Sequence, residues 1–268
     1  MVTNQAEADE IQIEVKDLVA EIRLNRPARL NSFTESMHIS LKQALRELEQ
    51  STDCRCLLIT GNGRGFCTGQ DLNDRDPRKS GTAPNLEDTL TRQFNPLITT
   101  LRGLQMPVVC AVNGVAAGAG ANLALACDIV LAAESASFIQ SFARVGLLPD
   151  AGGSWMLPRL VGEARAKAIA MTGKPVKADL ACEWGMIWQV CPDAELLTTA
   201  RQLATQLAAG PTLGIAATKH AIQEAYQEPF SQHLQKEARW QGQLGRSNDY
   251  AEGVISFLEK RDPDFSGS

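Results

Sequence analysis

The chain has little histidine, few aromatic residues and no excess of positive charge. Three histidines and a 5% aromatic content occur in 268 residues, and the formal net charge is −5. Such a surface does not favour nucleic acid or an anionic membrane as a partner. A long uninterrupted apolar run is also missing, because the most apolar stretch, residues 108–126, contains two asparagines and three glycines. That stretch indicates a strand, a loop and a buried helix, not a membrane span.

A metal centre and a disulfide framework are both disfavoured. The seven cysteines are an odd number, and the one short spacing, Cys54 to Cys56, has no histidine close to it. The cysteines are therefore predicted to be reduced, mostly buried thiols of a cytoplasmic protein. Residues 1–10 carry three acids and lack the basic and apolar regions of a signal peptide, so no secretion signal is expected.

The spacing of apolar residues divides the chain into a part in which strands and helices alternate and a part that is helical. Five strands are predicted, at residues 11–15, 19–24, 56–60, 107–112 and 128–132. Helices are expected between them near 34–48, 86–104 and 120–126, with Thr34 as the N-cap of the first. Residues 74–84 are predicted to be a mobile loop. Beyond Pro149 the chain is predicted to be helical, in six segments that end near residue 259.

Two glycine-rich loops invite comparison with nucleotide-binding motifs. A dinucleotide fingerprint would require glycine where Phe66 and Leu123 stand, and neither loop has the lysine of a phosphate-binding loop. One interpretation is that both loops, residues 61–66 and 118–123, bring bare backbone N–H groups close to a ligand, as suits an oxygen that gains negative charge. The alternative is tight packing of a strand against a helix. The spacing alone does not separate the two.

Several motifs identify a family when they are read together. They are Leu24-Asn25-Arg26-Pro27 with Leu30-Asn31, Phe66-Cys67-Thr68-Gly69-Gln70-Asp71-Leu72, Val112-Asn113-Gly114 with Gly118-Ala119-Gly120, and Gly146-Leu147-Leu148-Pro149-Asp150-Ala151-Gly152-Gly153. Each motif alone is weak. Their order and spacing resemble the enoyl-CoA hydratase/isomerase (crotonase) superfamily over nearly the whole chain.

The resemblance implies an α/β fold with a spiral of ββα turns over residues 1–205. A C-terminal α-helical region, 206–268, would assemble trimers or dimers of trimers. The substrate would be an acyl-CoA, so that coenzyme A is part of the substrate and no separate cofactor or metal is expected. Backbone N–H groups of Gln70 and Ala119 would form an oxyanion hole for the thioester oxygen.

The resemblance also implies a set of residues that contact the acyl-CoA. They are Asn25, Arg26, Arg29, Leu30, Gly69, Asp71, Leu72, Gly118, Asn122, Phe142 and Lys260. Arg26, Arg29 and Lys260 are candidate partners of the coenzyme A phosphates. For each cation, a solvated surface residue is the alternative.

Departures from the family pattern bear on the reaction. Hydratases of the superfamily use two glutamates, and Asn122 and Phe142 occupy the matching positions. Neither side chain titrates, so activation of water is disfavoured and replacement of either is expected to have a mild effect. Asp150 remains, where some isomerases of the superfamily carry their acid–base carboxylate. Apolar neighbours, among them Trp155, are expected to raise its pKa. The alternative is that Asp150 caps the helix that follows it.

Residues 66–75, 112–121 and 183–190 resemble most closely the branch that converts ring-1,2-epoxyphenylacetyl-CoA to oxepin-CoA in aerobic phenylacetate breakdown. That likeness implies that Asp150 removes a C2 proton and later returns it. Three alternatives stay open: a Δ3,Δ2-enoyl-CoA isomerase, an enzyme that uses Asp150 as a nucleophile, and a non-catalytic CoA-binding protein. Cys67 is interpreted as a packed thiol, because no histidine accompanies it in the sequence.

Overall fold

Two β-sheets organise the protein in the computed structural model, which describes residues 9–76, 78 and 84–268. The strands of this part, in chain order, are β1 (Ile11–Lys16), β2 (Val19–Leu24), β3 (Cys56–Gly61), β4 (Gly65–Cys67), β5 (Val108–Val112), β6 (Val115–Ala117), β7 (Ile129–Ala133), β8 (Ser137–Ile139), β9 (Val176–Lys177) and β10 (Gln189–Cys191). The larger sheet has the order β1-β2-β3-β5-β7-β10, and the smaller has the order β4-β6-β8-β9. Most of the loop predicted at 74–84 lies outside the described residues.

Successive strand pairs form the turns of a spiral. β3, β5 and β7 lie in the larger sheet, and each is followed by a strand, β4, β6 or β8, in the smaller one. Pairing is parallel within these two sets, as for Leu57 opposite Val108. β3 and β5 are buried along their whole length, which is typical of parallel strands covered on both faces. This architecture confirms the predicted crotonase-like α/β core.

Ten helices occur among the described residues. They are α1 (Glu35–Gln50), α2 (Leu86–Thr89 and Asn95–Gly103, joined by the π-helical turn Leu90–Phe94), α3 (Ala119–Ala126), α4 (Gly153–Val161), α5 (Glu163–Thr172), α6 (Ala178–Glu183), α7 (Leu196–Ala208), α8 (Thr212–Glu224), α9 (Phe230–Leu244) and α10 (Asn248–Glu259). The predicted cap of α1 is confirmed, because the Thr34 hydroxyl accepts a hydrogen bond from the Met37 N–H at 3.1 Å. The π-helical turn lies next to Pro96, which has no N–H to donate to the preceding turn.

The prediction of a purely helical chain beyond Pro149 was wrong. β9 pairs antiparallel with β8, and β10 pairs parallel with β7 at an edge of the larger sheet. Helix α4 was also missed. Strands of two and three residues are too short to show a periodicity of two, and α4 contains Pro158, a residue that usually ends a helix.

Helices α7 and α8 pack directly on the core. Buried alanines of α7 face the larger sheet. Lys219 of α8 donates to the carbonyl oxygens of Leu101 at 3.1 Å and Met106 at 3.2 Å, and its ammonium lies 2.9 Å from the Asp128 carboxylate. The domain division at residue 205 stays a prediction, and α7 runs across it.

Helices α9 and α10 leave apolar side chains exposed. α9 buries no residue, and Phe257 and Leu258 of α10 are 82% and 73% exposed. Of the helices in the described residues, none has both the length and the apolarity needed to cross a bilayer.

Candidate active site

A cavity of about 700 Å³ opens between two glycine loops, residues 68–70 (the first glycine loop) and 118–119 (the second glycine loop), helix α2 and the segment that precedes α4. None of the described wall residues belongs to the loop at 61–66, which was also predicted to approach a ligand, so that loop does not line this cavity. Its wall is formed by Thr68, Gly69, Gln70, Leu72, Arg75, Pro84, Leu86, Thr89, Leu90, Phe94, Asn95, Gly118, Ala119, Ser141, Phe142, Arg144, Val145, Leu147, Leu148, Pro149, Asp150, Ala151, Gly152 and Ser154. Most of these residues are apolar or glycine. A largely apolar cavity with a few polar groups is the usual form of a small-molecule site.

The first glycine loop turns the Gln70 amide away from the rest of the chain. Phe33 forms a parallel bridge to Gln70, in which its N–H donates to the Gly69 carbonyl at 2.7 Å and its carbonyl accepts from the Asp71 N–H at 2.9 Å. In such a bridge the N–H of the middle residue points to the opposite side. Within the described residues, the Gln70 N–H has no acceptor.

The second glycine loop presents the amide of Ala119 at the start of α3. Gly118 has φ +53°, and its N–H donates to the Ile139 carbonyl at 2.8 Å. Ala119 is the first residue of the helix, so its N–H has no acceptor within α3. The positive end of the helix dipole adds to the attraction for an anion there.

The two loops are in contact. Gly69 has φ +82°, and a Cβ built on it would lie 3.1 Å from both the Ala119 nitrogen and the Ala117 oxygen. A Cβ at Gly120 would collide with the backbone of Cys67. The two interpretations of the glycines are therefore compatible: the loops pack tightly, and Gln70 and Ala119, whose N–H groups have no backbone acceptor within the described residues, lie on the wall of one cavity.

Asp150 faces the same cavity and is the one carboxylate among the described residues of its wall. The side chain is half-buried, and its Oδ1 atom is buried without a hydrogen-bond partner. Burial raises the pKa of Asp150 to about 6. Helix α4 is capped by Gly152 with no side-chain hydrogen bond, so Asp150 is not the helix cap that the sequence allowed as an alternative.

Asn122 does not lie on the cavity wall, although it was predicted to contact the substrate. It is fully buried, its Nδ2 donates to the Asp150 carbonyl at 2.8 Å, and its Oδ1 accepts from Gln140 Nε2 at 2.9 Å. Asn122 therefore fixes the backbone that carries the carboxylate. Phe142 is on the wall and 7% exposed, and its contact with the substrate stays a prediction.

Two residues predicted to hold coenzyme A are already engaged within the chain. The Arg26 guanidinium lies 3.0 Å from Glu10 and 3.1 Å from Asp71, and it donates to the Ser32 carbonyl at 2.6 Å. Asp71 is 7% exposed and also accepts the Asn73 N–H at 3.1 Å. These pairings assign Arg26 and Asp71 to the support of the first glycine loop, and Arg26 is not a free cation.

The other predicted contact residues are spread around the site. Leu72 is on the wall and 61% exposed, Arg29 is exposed, and the next residue in the chain, Leu30, is half-buried with φ 50°. Asn25 donates to the Asp9 carbonyl at 2.8 Å. Lys260 ends α10 on the surface, whereas the residues of this wall lie between Thr68 and Ser154.

Sequence reasoning missed the aromatic support of the cavity. Phe94 lies on the wall, and its ring meets the buried His38 ring edge-on at 4.4 Å, while Phe33 stacks on His38 at 4.7 Å. Burial and, secondarily, the charge of Arg75 lower the pKa of His38 to about 4, so the imidazole is neutral. Helical spacing with Met37 and Leu41 was the one signal that His38 faces the core.

Two further expectations about side chains have different outcomes. Trp155 does not lie on the cavity wall, because its ring stacks under the Arg159 guanidinium at 3.8 Å. Cys67 is fully buried, which raises the pKa of its thiol to about 12. A thiol with such a pKa is a poor nucleophile at neutral pH, as the packed-thiol interpretation predicted. All seven cysteines are free thiols, and six of them are buried.

Comparisons with known proteins agree with this architecture. The family model described as Enoyl-CoA hydratase/isomerase matches residues 14–268. The 1,2-epoxyphenylacetyl-CoA isomerase of Escherichia coli K12 is 52% identical over 249 residues, which cover 93% of this chain and 95% of that protein. A protein of Rhodobacter capsulatus named "Probable enoyl-CoA hydratase" is 44% identical over 257 residues, covering 96% of this chain and 98% of its own.

A solved structure extends the agreement to three dimensions. The enoyl-CoA hydratase of Bacillus anthracis superposes with a TM-score of 0.91 at 31% identity, covering 97% of this chain and 100% of that one. The family model covers nearly the whole sequence, and the sheets, the paired glycine loops and the cavity occur together as the resemblance implied. The chain belongs to the enoyl-CoA hydratase/isomerase family.

Proposed function

We propose that this protein is an acyl-CoA isomerase that acts through a thioester enolate and converts ring-1,2-epoxyphenylacetyl-CoA to oxepin-CoA. The observation that carries the proposal is that Asp150 is the one carboxylate among the described wall residues and shares that wall with Gln70 and Ala119, whose N–H groups have no backbone acceptor within the described residues. One carboxylate can move a proton from one carbon to another. The 52% identical relative is named for this isomerisation, which supports the choice of substrate.

The first step is removal of the C2 proton. The thioester oxygen accepts hydrogen bonds from the amides of Gln70 and Ala119, which stabilise the charge that develops on it. One such donor typically contributes about 3–4 kcal/mol to transition-state stabilisation. With a pKa of about 6, Asp150 is mostly ionised at neutral pH and accepts the proton. The C–H electron pair moves into the enolate, and the negative charge rests on the thioester oxygen.

The second step returns the proton. The epoxide C–C bond opens to the seven-membered oxepin, and protonated Asp150 gives its proton to a ring carbon so that the remaining double bond is conjugated with the thioester. No atom is gained or lost between substrate and product. The reaction therefore balances without an external oxidant, reductant or water.

Incubation with acyl-CoA thioesters in deuterated water tests the proposal. The wild-type protein should introduce deuterium at C2 or at the carbon that receives the proton, and Asp150→Asn should lower both label and product by at least about 10³-fold while thioester binding persists. A covalent acyl adduct on Asp150 would point to nucleophilic catalysis. Unchanged conversion in Asp150→Asn would mean that the carboxylate has no catalytic role.

A Δ3,Δ2-enoyl-CoA isomerase is the second candidate, because the same groups would shift a double bond by the same two proton transfers. The substrate panel separates the two candidates, since only the first predicts an oxepin product from a ring epoxide. Hydration is less well supported. Neither Asn122 nor Phe142 can supply the second acid or base that water addition requires.

We also propose a homotrimer or a dimer of trimers, built on the exposed apolar side chains of α9 and α10. Phe257, Leu258 and Phe230 are 82%, 73% and 76% exposed, a pattern typical of surfaces that are covered by another subunit. Light scattering of wild type and Phe257→Ser tests this assembly. Cytoplasmic localisation stays a prediction from composition.

A further inference from the structure

Three buried polar atoms on the cavity wall have no hydrogen-bond partner. They are Asp150 Oδ1, Gln70 Oε1 and Arg75 Nε. A buried polar atom left unpaired is costly, so such atoms on an apolar wall indicate that a ligand supplies the missing partner. Gln70 Oε1 can only accept a hydrogen bond, and the same is true of Asp150 Oδ1 when the carboxyl group is ionised. Arg75 Nε is the donor.

Arg75 belongs to the same short segment as Gln70, whose N–H group is one of the proposed oxyanion-hole donors. It is the last residue of the 3₁₀ helix Leu72–Arg75, whose N-cap, Asp71, directly follows Gln70. Asp71 caps this turn through the Asn73 N–H and is itself paired with Arg26 at 3.1 Å. The position of Arg75 relative to the thioester oxygen is therefore fixed by the same short segment that supplies the Gln70 amide.

Two polar side chains of this region, Gln70 and His38, are engaged elsewhere or shielded from the cavity. The Gln70 Nε2 group already donates to the Phe33 carbonyl at 3.2 Å. His38 is neutral at physiological pH and lies behind Phe33 and Phe94. Within the described residues, the Nε atom of Arg75 has no hydrogen-bond partner.

Arg144, the second arginine of the wall, is different. Its Nη2 donates to the Gly173 carbonyl at 2.6 Å, and its side chain belongs to an exposed turn. Both arginines add positive charge to the cavity, but only Arg75 has a buried donor without a partner. Arg144 is therefore the matched control for a general effect of charge.

We propose that Arg75 determines specificity by donating a hydrogen bond to an ether or epoxide oxygen in the acyl group, so that oxygenated acyl-CoA thioesters bind in preference to hydrocarbon ones. The inference rests on the proposed function and adds the residue that recognises the substrate oxygen. An epoxide oxygen accepts a hydrogen bond and cannot donate one. It therefore pairs with Arg75 and with neither Gln70 Oε1 nor ionised Asp150.

Two stable thioesters of equal size test this role. Calorimetry compares 2-methoxyphenylacetyl-CoA, whose ether oxygen lies on ring carbon 2, with 2-ethylphenylacetyl-CoA, in which a methylene replaces that oxygen. Wild type should bind the methoxy compound about tenfold more tightly, the effect of one buried hydrogen bond from a charged donor. Arg75→Met should abolish the preference, Arg75→Lys should retain part of it, and Arg144→Met should retain all of it.

Three outcomes would overturn the proposal: no preference in wild type, equal weakening of both thioesters in Arg75→Met, or the same lost preference in Arg144→Met. Equal weakening would place Arg75 against the coenzyme A portion that the two compounds share. Arg75→Gln, which keeps a neutral donor, serves if Arg75→Met does not fold. Neither analogue isomerises without loss of its aromatic ring, so the result is independent of whether Asp150 transfers protons.

Discussion

At the residue scale, the chemistry depends on an unpaired carboxylate oxygen. Cations and backbone donors usually lower the pKa of an aspartate, but Asp150 Oδ1 has no partner and lies against an apolar wall. The resulting pKa of about 6 is well placed for a group that must act as a base and then as an acid at neutral pH. By contrast, Asp71 is surrounded by Arg26, Ser32 and Asn73, which lower its pKa against the effect of burial.

This environment predicts the pH dependence of the reaction. Proton removal needs ionised Asp150 in the free enzyme, so kcat/KM for isomerisation should be constant above pH 7 and fall as the pH decreases through about 6. A pH–rate profile between pH 5 and 8 measures the midpoint. Circular dichroism at each pH separates titration from unfolding. A flat profile in a protein that stays folded would contradict the assignment of Asp150 as the base.

Asn122 positions Asp150. Its replacement should therefore lower activity more than the mild effect that the sequence analysis predicts. Asn122→Ala removes the 2.8 Å bond to the Asp150 carbonyl and leaves the buried Gln140 amide without its acceptor. We expect a loss of about 1–3 kcal/mol in stability and a fall in kcat with little change in KM. Thermal unfolding and steady-state kinetics measure both. Phe142→Leu is the control, since it alters packing on the wall without touching Asp150; equal losses of kcat would assign the effect to packing.

The sequence predicted some site residues and missed others for a physical reason. Asp150, Gln70 and Ala119 lie in short motifs whose local order determines their place in the fold. Arg75 and His38 carry no such signal, because their environment depends on contacts between α1, α2 and the first glycine loop. Trp155 was placed by chain proximity to Asp150, and the pitch of α4 turns it toward Arg159 instead.

At the element scale, the two glycine loops form one structural unit. The 3.1 Å approach of a Gly69 Cβ to the Ala119 nitrogen shows that any side chain at residue 69 would enter the space between the two donors. The family motifs contained both Gly69 and Gly118 but could not show the contact between the two loops, because the loops are almost fifty residues apart in the chain. The short strands β9 and β10 were missed for a related reason, since pairing partners define them more than their own residues do.

The variant Gly69→Ala tests the contact between the two glycine loops. The substitution forces a left-handed φ on alanine and crowds the Ala119 amide, so we expect kcat/KM to fall by about 10²–10³-fold, comparable to the loss of one oxyanion donor. Gly103→Ala is the control, because a Cβ at Gly103 meets nothing within 4 Å and alanine favours a helix. Kinetics and thermal unfolding of both variants are compared. A Gly69→Ala enzyme with normal kcat/KM would exclude the proposed oxyanion hole.

At the scale of the whole molecule, one buried charge adds to the apolar packing that holds α7 and α8 on the core. Lys219 is 8% exposed and contacts Leu101 in the last turn of α2, Met106 before β5 and Asp128 before β7. Burial raises the pKa of Asp128, while the ammonium of Lys219 opposes that effect. Lys219 is therefore a polar anchor of α8, the helix that precedes the proposed oligomer surface on α9 and α10, and it acts in addition to the buried alanines of α7.

Lys219→Met should destabilise the protein more than most single substitutions. It leaves the Asp128 carboxylate and two carbonyl oxygens without their donor, and breaking a buried ion pair by removal of one partner typically costs about 3–5 kcal/mol. Urea unfolding measures the change. The double variant Lys219→Met, Asp128→Asn should recover much of the loss, because no unpaired charge remains, although the Asp128 bond to the Val108 N–H at 2.8 Å is weakened. If the double variant is no more stable than Lys219→Met, then α8 is held by packing and not by charge, and the anchor does not explain how the helical region stays attached to the core.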